Sequence, residues 1–443
     1  MSLKSTNALK RAVLDISGAY KNFEQFQNIC ARRNIPFPLS SAFRSDYDTL
    51  SRLKLAATGY KQQTKKLQKE LLQVKKAQDK SKLSELTDRL SQLKNLDRQN
   101  SVTKSELEDS LFKQVANLPN LIDASVGENQ LLCDYLNPLP NIDPLVDPIP
   151  NEKFDHKHIM EKHNLVNFTK ATIISGRGWY YLLNEAAMLE QALIQYALSM
   201  ARKNGFKMII PPSIVKTEVT NACGFKPRDQ NNETQVYELK SDDLCLTGTA
   251  EIPLAALYSN HEFKESDLPL NHVGVSRSYR AEAGAAGRDT RGIYRVHEFT
   301  KVELFSWTKG DVNSSMPVFD KIVNFQKEFI SSLGLTARVL IMPANDLGNP
   351  AFKKIDIEVL MPGRGKWGEV SSTSNCLDFQ SRRLNTRYKS QKSDWVHTLN
   401  GTACAIPRVV LAIIENNYDP VNDCIKIPKV LQKYMDDIEY IKN

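Results

Sequence analysis

The sequence predicts an α+β protein in which a helical hairpin precedes a domain built on a largely antiparallel sheet. Near the N-terminus, apolar residues recur at alternating steps of three and four, which is typical of paired helices. From about residue 206 to 405, short segments of alternating polar and apolar residues predict strands. Helices are predicted at either end of this region, within "NEAAMLEQALIQYALSMARKNG" (184–205) and "VVLAIIENNY" (409–418), so that helices and strands are segregated.

The composition is that of a globular protein without a membrane span. The chain has 443 residues, of which 41% are hydrophobic and 25% charged, and no apolar run approaches the roughly 18 to 20 residues that cross a bilayer. An excess of 59 Lys and Arg over 51 Asp and Glu mildly favours a polyanionic partner. The seven cysteines include no Cys-x-x-Cys pair, which argues against a zinc knuckle or a disulfide framework and favours a reducing compartment.

Two heptad-spaced seams predict the helical hairpin, which is expected to span about residues 45–118. A lysine-rich break, "KKAQDKSK" at 75–82, separates the seams, and a short polar connection predicts antiparallel helices. At 1.5 Å per residue, a first helix of roughly 30 residues would extend about 45 Å. The seam positions are Leu50, Leu53, Ala57, Tyr60, Leu67, Leu71 and Val74, followed by Leu83, Leu86, Leu90, Leu93, Leu107, Leu111, Val115 and Leu118.

The flanks of the first seam carry charge of one sign. Ten Lys and Arg residues fall between positions 51 and 82, against only Glu70 and Asp79. A helix that pairs with a partner helix usually balances its flanking charges, whereas a basic arm suits a phosphate backbone. A dimerising coiled coil and a nucleic-acid-binding arm are both open interpretations, and the charge favours the second.

A proline-bearing linker separates the hairpin from the rest of the chain. Six prolines fall between residues 119 and 150, and proline interrupts both helices and central strands. We place the domain boundary inside this linker, with an N-terminal domain at residues 1–125 and a C-terminal domain at residues 126–443.

The segment "RSYRAEAGAAGRDTRGIYRVHEFTKVELF" (277–305) predicts a nucleotide site. Because alternate residues of a strand share a face, Arg280 and Glu282 lie together before the loop, and Arg295 and Phe299 lie together after it. We expect a hairpin that brings Arg280 beside Arg295, with guanidinium groups for phosphate and a ring that stacks on a base. The loop itself contributes Gly284, Gly287, Arg288, Arg291 and Gly292.

One structural alternative and two known nucleotide-binding motifs bear on the interpretation of this segment. A surface hairpin carrying salt bridges is the simplest alternative for a charged strand pair. The chain contains neither a Walker A motif nor a Rossmann glycine fingerprint, so a nucleotide would be held in a different way.

The same segment resembles motif 2 of class II aminoacyl-tRNA synthetases, in the form found in the seryl-tRNA synthetase family. Further segments extend the resemblance over nearly the whole chain. They are "GFKMIIPPSIV" (205–215), similar to motif 1; "TGTAEIPLAAL" (247–257), similar to the serine-binding loop; "GEVSSTSNCLDFQSRRLNTRY" (368–388), similar to the Glu-Ile-Ser-Ser block; and "LNGTACAIPRVVLAIIENN" (399–417), similar to motif 3.

The resemblance implies a fold, a reaction and partners. The fold is the class II synthetase antiparallel sheet with flanking helices, preceded by an antiparallel coiled-coil arm that binds tRNA. The reaction is the ATP-dependent activation of L-serine to seryl-adenylate, with Mg²⁺, followed by transfer to the 3′ end of tRNA(Ser). Motif 1 implies a homodimer. The alternative is a catalytically silent paralogue that binds RNA or a protein partner, although all the ATP and magnesium residues that the resemblance identifies are present.

The resemblance also implies the roles of individual residues. Arg280 and Arg408 would be catalytic, with Arg280 on the α-phosphate and the serine carboxylate, and Arg295 and Arg408 on the outer phosphates. Phe299 would stack on adenine. The ATP-binding set is Arg280, Ala281, Glu282, Arg295, Val296, Phe299, Glu369, Val370, Ser371, Ser372 and Arg408.

The remaining sites follow in the same way. Glu369 and Ser372 would bind Mg²⁺, and because they are three residues apart we expect a bulge or turn between them. The serine-binding set is Thr249, Ala250, Glu251, Arg280, Glu303 and Thr402. The tRNA-binding set is Lys61, Lys65, Lys66, Lys69, Lys75 and Lys76.

Three departures from the common family pattern resemble the mitochondrial branch. "AIPR" in motif 3 has Pro407 where the common pattern has glycine, Thr402 replaces a usual serine, and "GTAE" forms the serine-binding loop. The resemblance therefore implies the mitochondrial matrix, with the cytoplasm as the alternative. Pro407 fixes φ and lacks an N–H, so the path into the following helix is expected to differ locally.

Overall fold

The computed structural model describes residues 8–225, 235–240, 243–282, 291–391 and 393–442, which form two compact units. One unit comprises residues 14–119. The other combines the residues up to 13 with those from 120 onward, so the division falls at the start of the proline-bearing linker. Within the described ranges, no helix is long and apolar enough to cross a membrane.

Four helices form the first unit, and the two long ones confirm the predicted hairpin. Gln78 ends the first long helix in a left-handed conformation, and the Asp79 carboxylate accepts a hydrogen bond from the Lys82 N–H to start the second. These caps shorten the connection to two residues, against the eight-residue break that the sequence predicts. The helices are α1 (Ile16–Lys21), α2 (Phe23–Arg32), α3 (Phe43–Ala77) and α4 (Lys80–Ala116).

The base of the hairpin is fixed by a small hydrophobic core. Phe43 and Leu50 of α3 pack with Leu111 and Val115 of α4, and all four are buried. Farther along the hairpin, the Asn100 side chain donates a hydrogen bond across the helix pair to the main-chain oxygen of Leu53 at 3.0 Å. The predicted seam positions of α3 beyond Leu50 are half-buried while the lysines between them are exposed, as expected for a two-helix seam.

An eight-stranded sheet organises the second unit and confirms the predicted largely antiparallel architecture. Its strand order is β1-β10-β11-β12-β15-β9-β8-β4, and among these described strands only the β4–β8 pair at one edge is parallel. The strands of this unit are β1 (Leu131–Leu136), β2 (Val166–Asn167), β3 (Tyr181–Leu182), β4 (Lys207–Ile209), β5 (Ile214–Lys216), β6 (Leu244–Leu246), β7 (Glu262–Lys264), β8 (Leu270–Tyr279), β9 (Glu298–Thr308), β10 (Ala337–Ile341), β11 (Lys353–Met361), β12 (Lys366–Asn375), β13 (Arg387–Lys389), β14 (Ser393–Trp395), β15 (His397–Ala405), β16 (Tyr418–Asp419), β17 (Cys424–Lys426) and β18 (Tyr440–Lys442).

Three long helices, α7, α10 and α12, share the main hydrophobic core with this sheet. The predictions of α7 and α12 are confirmed. The helices of the second unit are α5 (His156–Lys162), α6 (Phe168–Ser175), α7 (Asn184–Lys203), α8 (Thr217–Ala222), α9 (Glu251–Ala256), α10 (Val312–Ser332), α11 (Phe379–Leu384), α12 (Ile406–Asn417) and α13 (Lys429–Gln432).

Two parts of the second unit differ from the sequence prediction. Helix α10 lies inside the region predicted as strands, because its β-branched residues and Pro317 hide a helical pattern whose apolar face packs on β12 and β15. The chain also continues beyond α12 with a three-stranded sheet, β16-β17-β18. Those strands are two or three residues long, too short to show an alternating pattern.

Candidate active site

A cavity of about 530 Å³ opens where β8, β9, β12 and β15 meet the start of α12. The cavity brings together nine of the residues that the sequence predicts for ATP, serine or magnesium. These nine are Arg280, Glu282, Val296, Phe299, Glu369, Val370, Ser372, Thr402 and Arg408, and the other lining residues are Tyr294, Lys301, Ala405 and Pro407.

Arg280 lies directly after β8, at one wall of the cavity. Its main-chain N–H donates to the His297 oxygen at 2.9 Å, which continues the β8–β9 pairing by one residue. Its guanidinium donates to the Gly248 oxygen and lies 5.3 Å from the centre of the Phe299 ring. Burial and then the charge of Arg408 lower the pKa of Arg280. Because two neighbouring cations repel each other, the cavity favours a ligand with several negative charges.

The strand register corrects one prediction about this wall. Arg280 faces His297 rather than Arg295, and the Arg295 guanidinium instead donates to the Glu282 carboxylate at 3.2 Å. The register is displaced by two residues, so every side chain keeps its predicted face. Glu282 has φ of 46°, a left-handed conformation that non-glycine residues rarely adopt and that is often found at binding sites.

Arg408 lines the same cavity from the first turn of α12. Its Nη1 donates to the main-chain oxygen of Glu369 at 2.9 Å and to the Glu369 carboxylate at 3.3 Å. Burial tends to raise the pKa of Glu369, but the charges of Arg408, Lys354 and Arg280 outweigh burial and hold that pKa below its ordinary value. Glu369 is therefore ionised at neutral pH.

Pro407 occupies the second position of α12, where an N–H has no partner within the helix. The proline therefore costs the helix no hydrogen bond. The departure from the family pattern in motif 3 is accommodated by a regular helix start.

A β-bulge brings Glu369 and Ser372 to the same cavity. The pairing of β12 with β11 shifts by one residue between Glu369 and Ser371, which leaves Val370 as the extra residue. Both predicted magnesium ligands then line the cavity, although a straight strand would place them on opposite faces. The predicted bulge is confirmed.

The residues around the bulge fit Mg²⁺. A carboxylate and a hydroxyl are oxygen donors, and Mg²⁺ is commonly held by one or two protein groups together with phosphates and water. Asp356, across from Ser372 in β11, is buried, and its Oδ1 has no hydrogen-bond partner among the described residues. Nowhere among the described residues do three or more His, Cys, Asp or Glu side chains form a cluster suited to a metal. The donor set therefore suits a cation whose coordination a nucleotide completes.

A buried charge cluster lies behind Thr402. Glu303 is 1% exposed, its Oε2 lies 2.8 Å from the Lys301 ammonium, and it accepts a hydrogen bond from the Thr402 hydroxyl at 3.3 Å. A buried carboxylate needs such partners, because an unpaired charge in the interior is costly. Lys301 and Thr402 line the cavity, so Glu303 lies immediately behind its surface.

Glu251 is the second buried carboxylate in this region. It begins α9, where its N–H donates to the Thr249 hydroxyl, and its carboxylate accepts a hydrogen bond from Gln380 at 2.7 Å. Burial, and then the charge of Glu303, raise the pKa of Glu251 to about 7. Thr249 and Ala250 are buried beside it. A raised pKa of this kind is typical of a carboxylate that awaits a cationic ligand.

We expect Glu251→Gln to stabilise the fold at pH 8 and less at pH 5.5. The folded-state pKa of about 7 exceeds the unfolded value near 4.5, so the Glu251 carboxyl group destabilises the fold progressively as pH rises from about 4.5 to 7. The shift corresponds to about 3 kcal/mol above pH 7 and to nothing below both pKa values. Thermal midpoints of both proteins at the two pH values test this expectation. The contributions of other titrating groups cancel in the difference between variant and parent protein at each pH. An equal midpoint difference at pH 5.5 and pH 8 would contradict the raised pKa.

Several predicted site residues lie beside the cavity rather than on its surface. The Ser371 hydroxyl is buried and donates to the main-chain oxygen of Thr402. Arg295 reaches the site through Glu282. The predicted residues that do not line the cavity are Ala281, Arg295, Ser371, Thr249, Ala250, Glu251 and Glu303.

Lys301 and Gln326 contribute to the site although neither was predicted as a site residue. Lys301 neutralises Glu303, and its position two residues earlier on the same face of β9 is the signal that could have identified it. Gln326 donates from α10 to the main-chain oxygens of Ser372 and Thr402, both at 2.9 Å, and so ties the two strands together beneath the cavity. Gln326 could not be found from the sequence, because its helix was not predicted.

The glycine-rich loop is partly explained by packing. A Cβ at Gly292 would lie 1.9 Å from the His156 ring, so this position requires glycine whether or not an anion binds nearby. Gly284, Gly287 and Arg288 lie outside the described residues.

In the first unit, the predicted tRNA-binding lysines are all exposed on α3. Lys61, Lys65, Lys66 and Lys69 lie in the middle of the helix, and Lys75 and Lys76 lie in its last turn. Their ammonium groups are available to a phosphate backbone.

Comparison with known proteins identifies the family. Residues 235–417 match the model of the tRNA synthetase class II core domain (G, H, P, S and T). The chain is 47% identical to the mitochondrial serine--tRNA ligase of Saccharomyces cerevisiae, over 85% of this chain and 84% of that protein. It is 39% identical to the mitochondrial enzyme of Schizosaccharomyces pombe, over 96% of this chain and 88% of that protein.

Solved structures agree with these sequence matches. The seryl-tRNA synthetase of Pyrococcus horikoshii, solved in complex with ATP, superposes with a TM-score of 0.81 at 30% identity and covers 97% of this chain and 99% of its own. The cytoplasmic serine-tRNA ligase of Naegleria fowleri, solved with AMP, gives 0.77 at 26% identity, over 98% and 99%. The predicted class II fold is thus confirmed, and the chain belongs to the seryl-tRNA synthetase family of class II aminoacyl-tRNA synthetases.

Proposed function

We propose that this chain is an active serine--tRNA ligase, which activates L-serine with ATP and transfers the seryl group to the 3′ end of tRNA(Ser). The observation that carries the proposal is the convergence of Arg280, Phe299, Glu369 and Arg408 on one cavity that borders Glu303. Purified protein should charge serine tRNA with serine and not with threonine or alanine. Absence of charging with an intact tRNA would contradict the proposal.

The first step requires positioning and charge stabilisation rather than a general base. The carboxylate of serine is already ionised at neutral pH and attacks the α-phosphorus of ATP. A carboxylate–phosphorus bond forms while the bond from the α-phosphorus to pyrophosphate breaks, and pyrophosphate takes the electron pair. Arg280 would stabilise charge on the α-phosphate, and Arg408 and Arg295 would hold the outer phosphates of a bent ATP. Phe299 would stack on adenine.

Mg²⁺ is the expected metal, held by Glu369 and Ser372. When bound there with the phosphates, the ion would neutralise part of the charge that gathers on the leaving pyrophosphate. The chain's own contribution is to present an ionised carboxylate, to which Arg408 donates a hydrogen bond at 3.3 Å. In the second step, a ribose hydroxyl at the tRNA 3′ end replaces AMP on the activated carboxyl group.

Serine itself would be held by the two buried carboxylates. Glu251 would take the ammonium together with Thr249, and Glu303 and Thr402 would meet the hydroxyl. A site built to bond a hydroxyl rejects a ligand that lacks one, because a buried polar group is then left unpaired. This arrangement explains discrimination against alanine.

We expect Glu303→Gln to lower the serine-over-alanine ratio of exchange efficiency by about tenfold or more, since the hydroxyl loses its charged acceptor. The KM for ATP should stay near that of the parent protein. The matched control is Glu298→Gln, on the same strand, where the carboxylate lies near Arg277 and Tyr279 and not at the cavity. An unchanged serine-over-alanine ratio would mean that Glu303 does not read the hydroxyl.

The silent-paralogue alternative has no support from the comparisons. The positions expected to bind ATP, serine and magnesium retain the side chains that the family resemblance identifies. We therefore retain only the catalytic proposal. Its partners are tRNA(Ser), contacted by the arm lysines through the phosphate backbone, and L-serine.

We also propose a homodimer that uses the motif 1 region. Strand β4 lies at the edge of the central sheet, and Met208 and Ile210 around it are 50% and 90% exposed. Ile173 and Ile174 of α6 are 80% and 69% exposed. Large apolar side chains exposed to this degree are typical of surfaces that another chain covers.

We expect Ile210→Asp to convert the dimer to monomers at micromolar concentration, because a carboxylate would lose its hydration in the interface. Sedimentation velocity measures the change. Val421→Asp is the matched control, since Val421 is an equally exposed aliphatic residue at 89% exposure and lies outside motif 1. A parent protein that sediments only as one chain would refute the dimer.

For localisation we propose the mitochondrial matrix. The support is the two fungal relatives named as mitochondrial and the three motif departures at Thr402, Pro407 and the "GTAE" loop. Subcellular fractionation of the source cells, with the chain found only in the cytosol, would contradict this proposal.

A further inference from the structure

The phenol ring of Tyr294 contacts two arginine side chains. The Arg408 guanidinium carbon is 4.4 Å from the ring centre, and the Arg364 guanidinium carbon is 3.5 Å from it. A guanidinium within about 6 Å of an aromatic face is attracted by the ring quadrupole. The Arg408 Nε also donates to the main-chain oxygen of Tyr294 at 3.3 Å. Tyr294 thus contacts Arg408 through both its ring and its backbone.

The other end of this stack is anchored by Glu415, a buried residue of α12. One Glu415 oxygen accepts hydrogen bonds from the Gly363 N–H at 2.7 Å and the Arg364 N–H at 3.2 Å. Arg408 and Glu415 are seven residues apart on α12, about two helical turns, so they lie on the same side of that helix. One rigid helix therefore carries Arg408 and also fixes the turn that presents Arg364.

A second connection joins Glu415 to Tyr294. The His156 Nδ1 lies 2.8 Å from the other Glu415 oxygen, and the Ile293 N–H donates to the His156 Nε2 at 3.4 Å. This pairing makes Nδ1 the protonated nitrogen and Nε2 the acceptor. The chain just before Tyr294 is thereby held by the same carboxylate that holds Arg364.

We propose that Tyr294, backed by Arg364, is a positioning residue that holds Arg408 aimed at the outer phosphates of ATP. The inference rests on the proposed role of Arg408. The Glu369 carboxylate, 3.3 Å from the Arg408 Nη1, competes with phosphate for this guanidinium, so a flexible arginine would settle into a closer ion pair with that carboxylate. The ring and backbone of Tyr294 restrict the Arg408 guanidinium, so less order has to be created when ATP binds.

The test compares three variants of the full chain in serine-dependent pyrophosphate exchange. We expect Tyr294→Leu to raise the KM for ATP by about tenfold, which corresponds to removal of one partly buried cation–π interaction, and to leave the KM for serine within about twofold. Tyr294→Phe keeps the ring and should restore the KM for ATP. Arg364→Met should raise the KM for ATP less than Tyr294→Leu does, because it removes only the guanidinium that contacts the Tyr294 ring and leaves the ring in place.

The matched control is Arg387→Met, because Arg387 lies 3.9 Å from the ring centre of Trp395 in a similar contact that does not line the cavity. It should leave both KM values unchanged. Equal effects of Tyr294→Leu on both KM values, or no rescue by Tyr294→Phe, would overturn the positioning role. Calorimetric titration with ATP and magnesium compares the same variants without turnover. A chain that is inactive in exchange would refute the proposed function, whereas the ATP affinities of the variants would still test the role of Tyr294.

Discussion

Replacing Arg280 with alanine should reduce serine-dependent pyrophosphate exchange by about 10²- to 10³-fold, which is the usual effect of removing one fixed donor to developing charge. The guanidinium contacts Gly248 and Phe299 at the wall of the cavity and faces Arg408, so it is held in place before substrate arrives. Its removal should lower kcat more than it raises the KM for ATP. Steady-state exchange kinetics measure both quantities.

Arg277→Ala is the matched control for this variant. Arg277 lies in β8, three residues before Arg280, its side chain is 50% exposed, and it lies near the carboxylates of Glu190 and Glu298. We expect exchange near that of the parent protein. If Arg280→Ala folds, with an unchanged thermal midpoint, and still exchanges pyrophosphate at the parent rate, the assignment of the α-phosphate to Arg280 is wrong.

Shortening the arm should abolish tRNA charging and spare serine activation. Replacing residues 61–96 with a short glycine-containing turn removes all six lysines of the tRNA-binding set. The core at the base of the hairpin, with Phe43, Leu50, Leu111 and Val115, stays in place. The cavity residues belong to the other compact unit, so the adenylation chemistry should continue. The two activities are measured separately, as pyrophosphate exchange and as aminoacylation of serine tRNA.

A charge variant separates the lysines from the length of the arm. Changing Lys61, Lys65, Lys66 and Lys69 to glutamine should reduce the slope of log affinity against log salt by roughly one unit for each phosphate that a lysine no longer neutralises. Glu70→Gln is the control, because it removes a negative rather than a positive charge from the same helix.

Loss of both exchange and charging in the shortened protein would mean that the arm supports folding. Full charging by the shortened protein would remove any role for the arm in binding tRNA.

The fold was predictable where the sequence repeats a spacing. The heptad steps from Leu50 to Leu118 predict the hairpin, and two residues between Glu369 and Ser372 are enough to require a bulge once both must face one ligand. The turn that joins the two long helices was harder to predict from the sequence. The left-handed Gln78 and the Asp79 cap made the hairpin connection two residues long, because two adjacent caps can end one helix and start the next without a loop.

The site was predictable where it consists of side chains in recognisable motifs, and not where it depends on tertiary packing. Arg280, Glu369 and Arg408 fall in such motifs. The contacts of Tyr294 depend on Arg364, which lies 70 positions away in sequence, and no spacing rule joins the two. The raised pKa of Glu251 arises from burial and from Glu303 across the core, which only the folded chain brings together.

The most direct measurement is ATP–pyrophosphate exchange by the purified full-length chain, with each amino acid supplied in turn. Serine should drive exchange in the presence of magnesium, alanine and threonine should not, and omission of the metal should stop the reaction. The same preparation should then charge serine tRNA. A folded protein that gives no serine-dependent exchange, yet binds ATP or tRNA, would contradict catalysis and return the chain to the class of synthetase-derived binding proteins.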